Sequence, residues 1–432
     1  MSSPSGEAVG FDGRAGVAAA MPERIVGLDL ARFIAIVGMI ATHVWLYSDL
    51  TAGTLVAGSA LFEGRASALF AVLAGVGVVL ATRRAMRERR HASARLMVFG
   101  RGAALIVIGL TLDLVDVRIL VILVYYGVMF WLIAPLVAVP TWVLGVLTGV
   151  VAVGAPVVAW LVGVWTDPGS GSSPVSENVS WLDLRYPLQV LHEVLFTGAY
   201  PALIWLAYGL AGVLVGRAVL KIDSVVALRR NGLSIALAGG LTWVVGVLVS
   251  LITLPAAAAG AAAAAGLPVE EGLGLLLDDG GGQPSAASAW YLLSPAAHSG
   301  STVDLLLTGG FAVTAIGLLL LLGSVLGPVA LKVLTPVIGA GRAPLTSYTA
   351  HVLLVAVITG LLLPRSWSEL TYPEFVALGT PWYISSFGMF ALNVGLVLAI
   401  GTVLMLLRRR GPLETFVTWA GRAVGRLGGA GR

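Results

Sequence analysis

The chain has 432 residues and a formal charge of +4; 58% of its residues are hydrophobic and only 11% are charged. Soluble domains carry about 25% charged residues, so a water-soluble fold is excluded and lipid must cover most of the surface. Cysteine is absent, which excludes disulfides, thiol catalysis and thiolate metal sites.

Residues 1–23 are rich in Gly, Ala and Ser, with scattered charges and no apolar h-region, and read as a disordered cytoplasmic tail rather than a signal peptide. About ten apolar stretches long enough to cross a bilayer follow, at 26–48, 65–82, 97–115, 118–138, 141–163, 198–216, 232–254, 303–325, 343–363 and 385–407. They predict an all-α integral membrane bundle over 24–410, with an amphipathic cytoplasmic tail at 411–432. The segments 328–342 and 413–427 are amphipathic and predict helices lying on the inner membrane surface. Three longer segments fall on the other side, at 164–197, 255–302 and 364–384. The Ala/Gly run that opens the second of these fits a loose helix or a flexible lid, and composition does not choose between them.

Orientation follows from the basic residues. With the N-terminus inside, only Arg65, Arg118, Arg185 and Arg365 of the 26 Lys and Arg residues fall outside, leaving 22 inside. The predicted topology is therefore N-in and C-in. That asymmetry also accounts for the basic balance without invoking nucleic acid.

Ionisable residues within apolar spans are costly and mark candidate sites. In the first span Asp29 and Arg32 are spaced i, i+3 and share a helix face, so an ion pair near the inner interface is expected. His43 stands eleven residues beyond Arg32, roughly 16 Å along the axis and about three turns on. That places the arginine near one membrane face and the histidine near the midplane, on a similar face of the helix. An imidazole titrates near neutrality and suits abstraction of a proton from a hydroxyl or amine. The alternative is a structural ion pair and a histidine satisfied by a neighbouring helix.

At the start of the second span, Glu63 and Arg65 lie beside the exit of the first, and an outer arginine is expected to line a polar cleft. His192 and Glu193 precede the sixth span, and His298 precedes the eighth. His351 lies nine residues past Arg342, hence about 13 Å into the bilayer, at a depth comparable to His43, with Tyr348 one turn or less away. The histidine spacings match no metal motif. Asp113 and Asp116 are expected to pair with Arg118 in the hairpin between the third and fourth spans. No nucleotide-binding loop is present.

The segment RIVGLDLARFIAIVGMIATHVW, from Arg24, resembles the R-x4-D-x2-R start of the heparan-alpha-glucosaminide N-acetyltransferase-like and YeiB-like membrane proteins. LFEGRASALFAVLAGVGVVLATRR looks like the second-helix signature of the same group. Later blocks, among them VILVYYGVMFWLIAPL and GAGRAPLTSYTAHVLL, extend the resemblance over about 24–410. The first block is also similar to membrane acyltransferase family 3, whose hallmark is an arginine, ten residues and a histidine; Arg32 and His43 fit it. The resemblance implies a transmembrane acyltransferase in a bacterial plasma membrane, with no bound cofactor. Acyl-CoA, in the first instance acetyl-CoA, would be the cytoplasmic co-substrate, and an envelope glycan or related amine or hydroxyl the acceptor. Arg32, with Asp29 and Arg342 beside it, would serve the donor. His43 would be catalytic, as base or acyl carrier. Glu63, Arg65, His192, Glu193, His298, Tyr348 and His351 would line the substrate cavity, and a homodimer is a candidate assembly.

Two departures stand out. The heparan-type enzymes tend to have Asn where this chain has His43, and place their catalytic histidine in the following outer loop, where this chain has none. Position 33 is Phe rather than glycine. Acyl transfer by this chain therefore falls on His43. The competing reading is a transporter or lipid-handling protein in which the same Arg/His pair binds an anion or relays protons.

Overall fold

The computed structural model describes residues 25–45, 61–166, 178–278, 280–371, 374, 377–378 and 381–428. The N-terminal tail and the loop after the first span lie outside them. Nine of the described helices are long and apolar enough to cross a membrane. They are α1 (Val26–Val44), α2 (Arg65–Arg87), α3 (His91–Leu112), α5 (Thr141–Thr166), α6 (Ala202–Val219), α7 (Val225–Ala265), α8 (Thr302–Gly323), α10 (Pro344–Leu362) and α11 (Phe387–Leu406). The remaining expected span is shorter: α4 covers Leu123–Ile133 and tightens into a 3-10 turn at Ala134–Ala138, where Pro135 sits. Short α9 (Thr335–Arg342) and amphipathic α12 (Pro412–Leu427) follow, and shorter helices lie at Pro187–His192, Gly272–Leu277 and Pro328–Val333. The chain is an all-α, multi-pass membrane protein.

Helix α1 lies at the centre, packed against α2, α8, α9, α10 and α11. Its buried side includes Ala31, Ala35, Ile36 and Ile40. Small residues bring its neighbours close. A Cβ at Gly75 of α2 would overlap the Gly209 carbonyl of α6, and one at Gly212 of α6 would overlap the Val72 carbonyl. In a bilayer, where apolar burial against lipid gives little drive for association, such backbone approach supplies the packing.

Helix α7 is 41 residues long, or about 60 Å, twice the hydrocarbon thickness. The Ala/Gly run is thus a helix as far as Ala265, closed by Gly266 in the left-handed conformation at φ 68°. The extension is not bare: Ala257, Ala258 and Ala261 pack on Leu276 and Tyr291 of the segment that follows.

Helix α12 lies along α3, turning Val417, Gly421 and Gly425 inward. Glu414 at its start accepts from the backbone N–H groups of Leu345 and Thr346, at 2.7 and 3.1 Å, and from the Thr346 hydroxyl at 2.6 Å. These are orphan donors at the first turn of α10, where a carboxylate also meets the positive end of the helix dipole.

Candidate active site

Two cavities open along α1. The larger, of about 980 Å³, surrounds Arg32 and is lined by ten arginines, among them Arg83, Arg101, Arg342 and Arg422, against two acids, Glu88 and Glu414. The expected Asp29–Arg32 pair is present: Asp29 is buried, and Arg32 Nη1 donates to its Oδ1 at 2.9 Å. The pair holds the guanidinium at the cavity wall. Arg101 projects from α3, and its Nε is buried without a hydrogen-bond partner among the described residues. A buried donor of that kind costs free energy unless something accepts from it. So many guanidinium groups around one space suit a polyanion, since each presents paired N–H groups to phosphate oxygens.

The smaller cavity, of about 30 Å³, is lined by His43, Ser67, Ile122, Tyr200, His298 and Tyr348, with neighbouring residues. A cavity needs about 10–15 Å³ of such space to hold a water, so this one takes about two. Nδ1 of His43 lies 3.0 Å from Nε2 of His351. The two imidazole planes are 1° apart with centroids separated by 5.3 Å. With the nitrogens so much closer than the centroids, the rings meet edge to edge in a common plane rather than face to face. His351 Nδ1 in turn lies 2.8 Å from Asn393 Oδ1 on α11. His298 sits in the loop before α8 with φ 64°, between the rings of Tyr200 and Trp205. Burial pushes its imidazole down to about 4, so it is neutral at physiological pH.

Between the cavities stands a layer of three rings. Phe70 and Tyr126 face the larger cavity and Tyr348 the smaller. Phe70 lies 5.8 Å from the Tyr126 ring and 6.4 Å from the Tyr348 ring.

The structure therefore brings His43, His298, Tyr348 and His351 together, and places Asp29, Arg32 and Arg342 at the basic cavity. Glu63, Arg65, His192 and Glu193 line neither cavity. Arg65 lies over the Phe311 ring at 5.7 Å and donates to the Leu61 carbonyl. His192 lies between the hydroxyls of Thr166 and Thr197, each at 3.1 Å, and Glu193 accepts from Thr197 at 3.5 Å. Asp113 does not pair with Arg118: both of its buried carboxylate oxygens lack a partner among the described residues. Burial and the nearby Asp183 push that carboxyl up to about 8. Among the described residues no three His, Asp or Glu side chains group to hold a metal ion.

Sequence reasoning passed over Arg101, Glu414 and Asn393. An arginine four residues past the start of the third predicted span and an asparagine in FALNVGLVLAIG were both visible as polar residues in apolar runs.

A sequence model of the family described as heparan-alpha-glucosaminide N-acetyltransferase, catalytic, matches residues 24–244. The match takes in α1 to α6 and the first part of α7, hence Arg32, His43 and Arg101. A search among curated proteins gives no match.

Proposed function

The chain belongs to the heparan-alpha-glucosaminide N-acetyltransferase catalytic family, and from that premise we propose that it moves an acetyl group from cytoplasmic acetyl-CoA to an amine or hydroxyl of an envelope glycan or related acceptor. The observation that carries this reading is the arrangement along α1. Arg32 stands in an arginine-lined cavity large enough for a nucleotide, and His43 stands in a much smaller one beyond three rings.

In this proposal the basic cavity faces the cytoplasm, as the charge asymmetry of the chain favours, and holds the donor's phosphates. Arg101, with its unsatisfied buried Nε, is one of the groups that donate to them. The thioester then has to reach roughly 16 Å along α1, which suits a slender donor. Nε2 of His43 takes the proton of the acceptor amine or hydroxyl as its N or O attacks the thioester carbonyl. The new C–N or C–O bond forms and the C–S bond breaks. The departing sulfur receives the proton from the imidazolium, so free CoA leaves and His43 returns to neutral. The small volume beside His43 supports acetyl over longer acyl groups.

His43→Ala should abolish transfer of labelled acetyl groups in proteoliposomes while the protein still binds a CoA thioester at the basic cavity. Unchanged transfer would sink the mechanism. Failure of the unaltered protein to bind any CoA thioester would favour a transport function instead.

A further inference from the structure

Asn393 lies in the middle of α11 with no solvent exposure. Its Nδ2 donates to the Met389 carbonyl at 2.8 Å, and its Oδ1 lies 2.8 Å from His351 Nδ1. The orientation of the amide is thereby fixed. Turning it over would set two carbonyl oxygens against each other at Met389 and lose that bond. Oδ1 is an acceptor only, so the nitrogen facing it, His351 Nδ1, carries the hydrogen. A neutral imidazole carries a single N–H, which leaves a lone pair on His351 Nε2. His43 Nδ1 then has to be the donor across the 3.0 Å contact. The common plane of the two rings puts that N–H on line with the lone pair.

We infer that Asn393 is a positioning residue for the acetyl transfer, acting through His351 to hold His43 as the Nδ1–H tautomer with the basic lone pair on Nε2. The inference rests on the acetyltransferase reading for its function but on the hydrogen-bond chain for its geometry. The other tautomer of His43 would have an N–H at Nε2 and no base to offer the acceptor. An amide suits this position: it accepts at the same point a carboxylate would, without setting a charge in the middle of a membrane span. It also ends the chain. Along this chain of bonds Asn393 Oδ1 offers no further acid or base, among the described residues, for a proton taken at His43 Nε2, so that proton remains for the departing sulfur. The other titratable groups beside His43 in the cavity are Tyr200, His298 and Tyr348, and it is His351 Nε2 that meets His43 Nδ1.

The test is nitrogen NMR of the full chain in lipid nanodiscs with ¹⁵N-labelled histidine, which gives few signals because the chain has five histidines. His43→Gln and His351→Gln assign the signals. The unaltered protein should show a single Nδ1–H tautomer at both His43 and His351. Asn393→Leu should give mixed tautomers at both, with kcat lowered roughly 10²- to 10⁴-fold, the scale of losing a correctly oriented base, and the KM for acetyl-CoA unchanged. Asn393→Asp, which still accepts at that nitrogen, should restore the single tautomer. An Nε2–H tautomer at His43 in the unaltered protein overturns the inference, even if no variant folds. So does Asn393→Leu with unchanged tautomers or unchanged kcat. If the unaltered protein transfers no acetyl group, the acetyltransferase reading fails, and the spectra still decide what Asn393 does to His43.

Discussion

The volume beside His43 makes a quantitative demand on the donor. A cavity of about 30 Å³ holds about two waters and hence little more than an acetyl group. Its walls are rigid: Ile122 and Tyr348 are almost wholly buried, and neither shifts without disturbing the core behind it. Each methylene added to the acyl chain therefore has to overpack the site, at about 1–3 kcal/mol, or roughly 10- to 200-fold in kcat/KM. The expected order is acetyl-CoA over propionyl-CoA by at least about 10-fold and over butyryl-CoA by at least about 100-fold. Shortening one wall with Ile122→Ala should compress that ratio by raising butyryl transfer, not by lowering acetyl transfer. The absence of cysteine makes the assay simple. A thiol reagent added to the purified protein reads released CoA alone, with no background from the chain, and kcat/KM follows from initial rates. Equal values for acetyl- and butyryl-CoA would refute the reasoning, because acylation would then be occurring somewhere other than beside His43.

Two further outcomes follow from isolated polar groups. Arg101→Gln should raise the KM for acetyl-CoA by about 10-fold or more, the worth of a charged hydrogen bond, with kcat little changed, since the donor phosphates are bound alike before and during transfer; an unaltered KM would remove Arg101 from the donor site. Asp113→Asn should stabilise the protein at pH 7. The folded carboxyl titrates at about 8 against an unfolded value near 3.9, so the folded state holds the proton that the unfolded state releases. Stability therefore falls as pH rises from about 4 to about 8, by as much as about 4 kcal/mol at pH 7. In the variant that part of the pH dependence should vanish, as read by thermal unfolding in detergent at pH 5 and pH 7; an identical slope in both proteins would exclude it.

The membrane bundle was legible because apolar length is a strong signal, and the ion pair of α1 because i, i+3 spacing fixes it. The fourth span was overestimated at its start. Residues 118–121 are apolar enough to join it, yet the helix proper begins at Leu123. The seventh was underestimated for the opposite reason. Hydropathy fades after Pro255, but alanine is the best helix former, and the helix runs on to Ala265. At the site, depth arithmetic set His351 level with His43 from their distances to the inner face. The arithmetic could not say that they touch, because contact between distant helices depends on packing that no single segment encodes. Asn393 escaped notice because a search keyed to ionisable groups passes over amides. Arg65 was expected in a polar cleft; it lines neither of the two cavities along α1, and its contacts include a ring face and a backbone carbonyl.

The three rings between the cavities give one departure from the family pattern, a histidine on α1 in place of one in the following loop, a physical setting. Whatever passes from Arg32 to His43 has to displace at least one of them. Tyr126 is buried and donates to the Ser67 carbonyl at 3.1 Å, and Tyr348 is buried in the wall of the smaller cavity. Of the three, Phe70 alone is only half-buried, facing the larger space. It is therefore the ring that yields at least cost, and side-chain rotation is fast compared with helix movement. A base mounted on the helix, inside that layer, is held by α1, α10 and α11 at once through the His43–His351–Asn393 chain. A base on a loop would need the loop to bring it there. In the proposed reaction, with His43 on α1, the donor would have only to push past Phe70 to reach a base already oriented, which would place the selectivity of the site in the donor's acyl end.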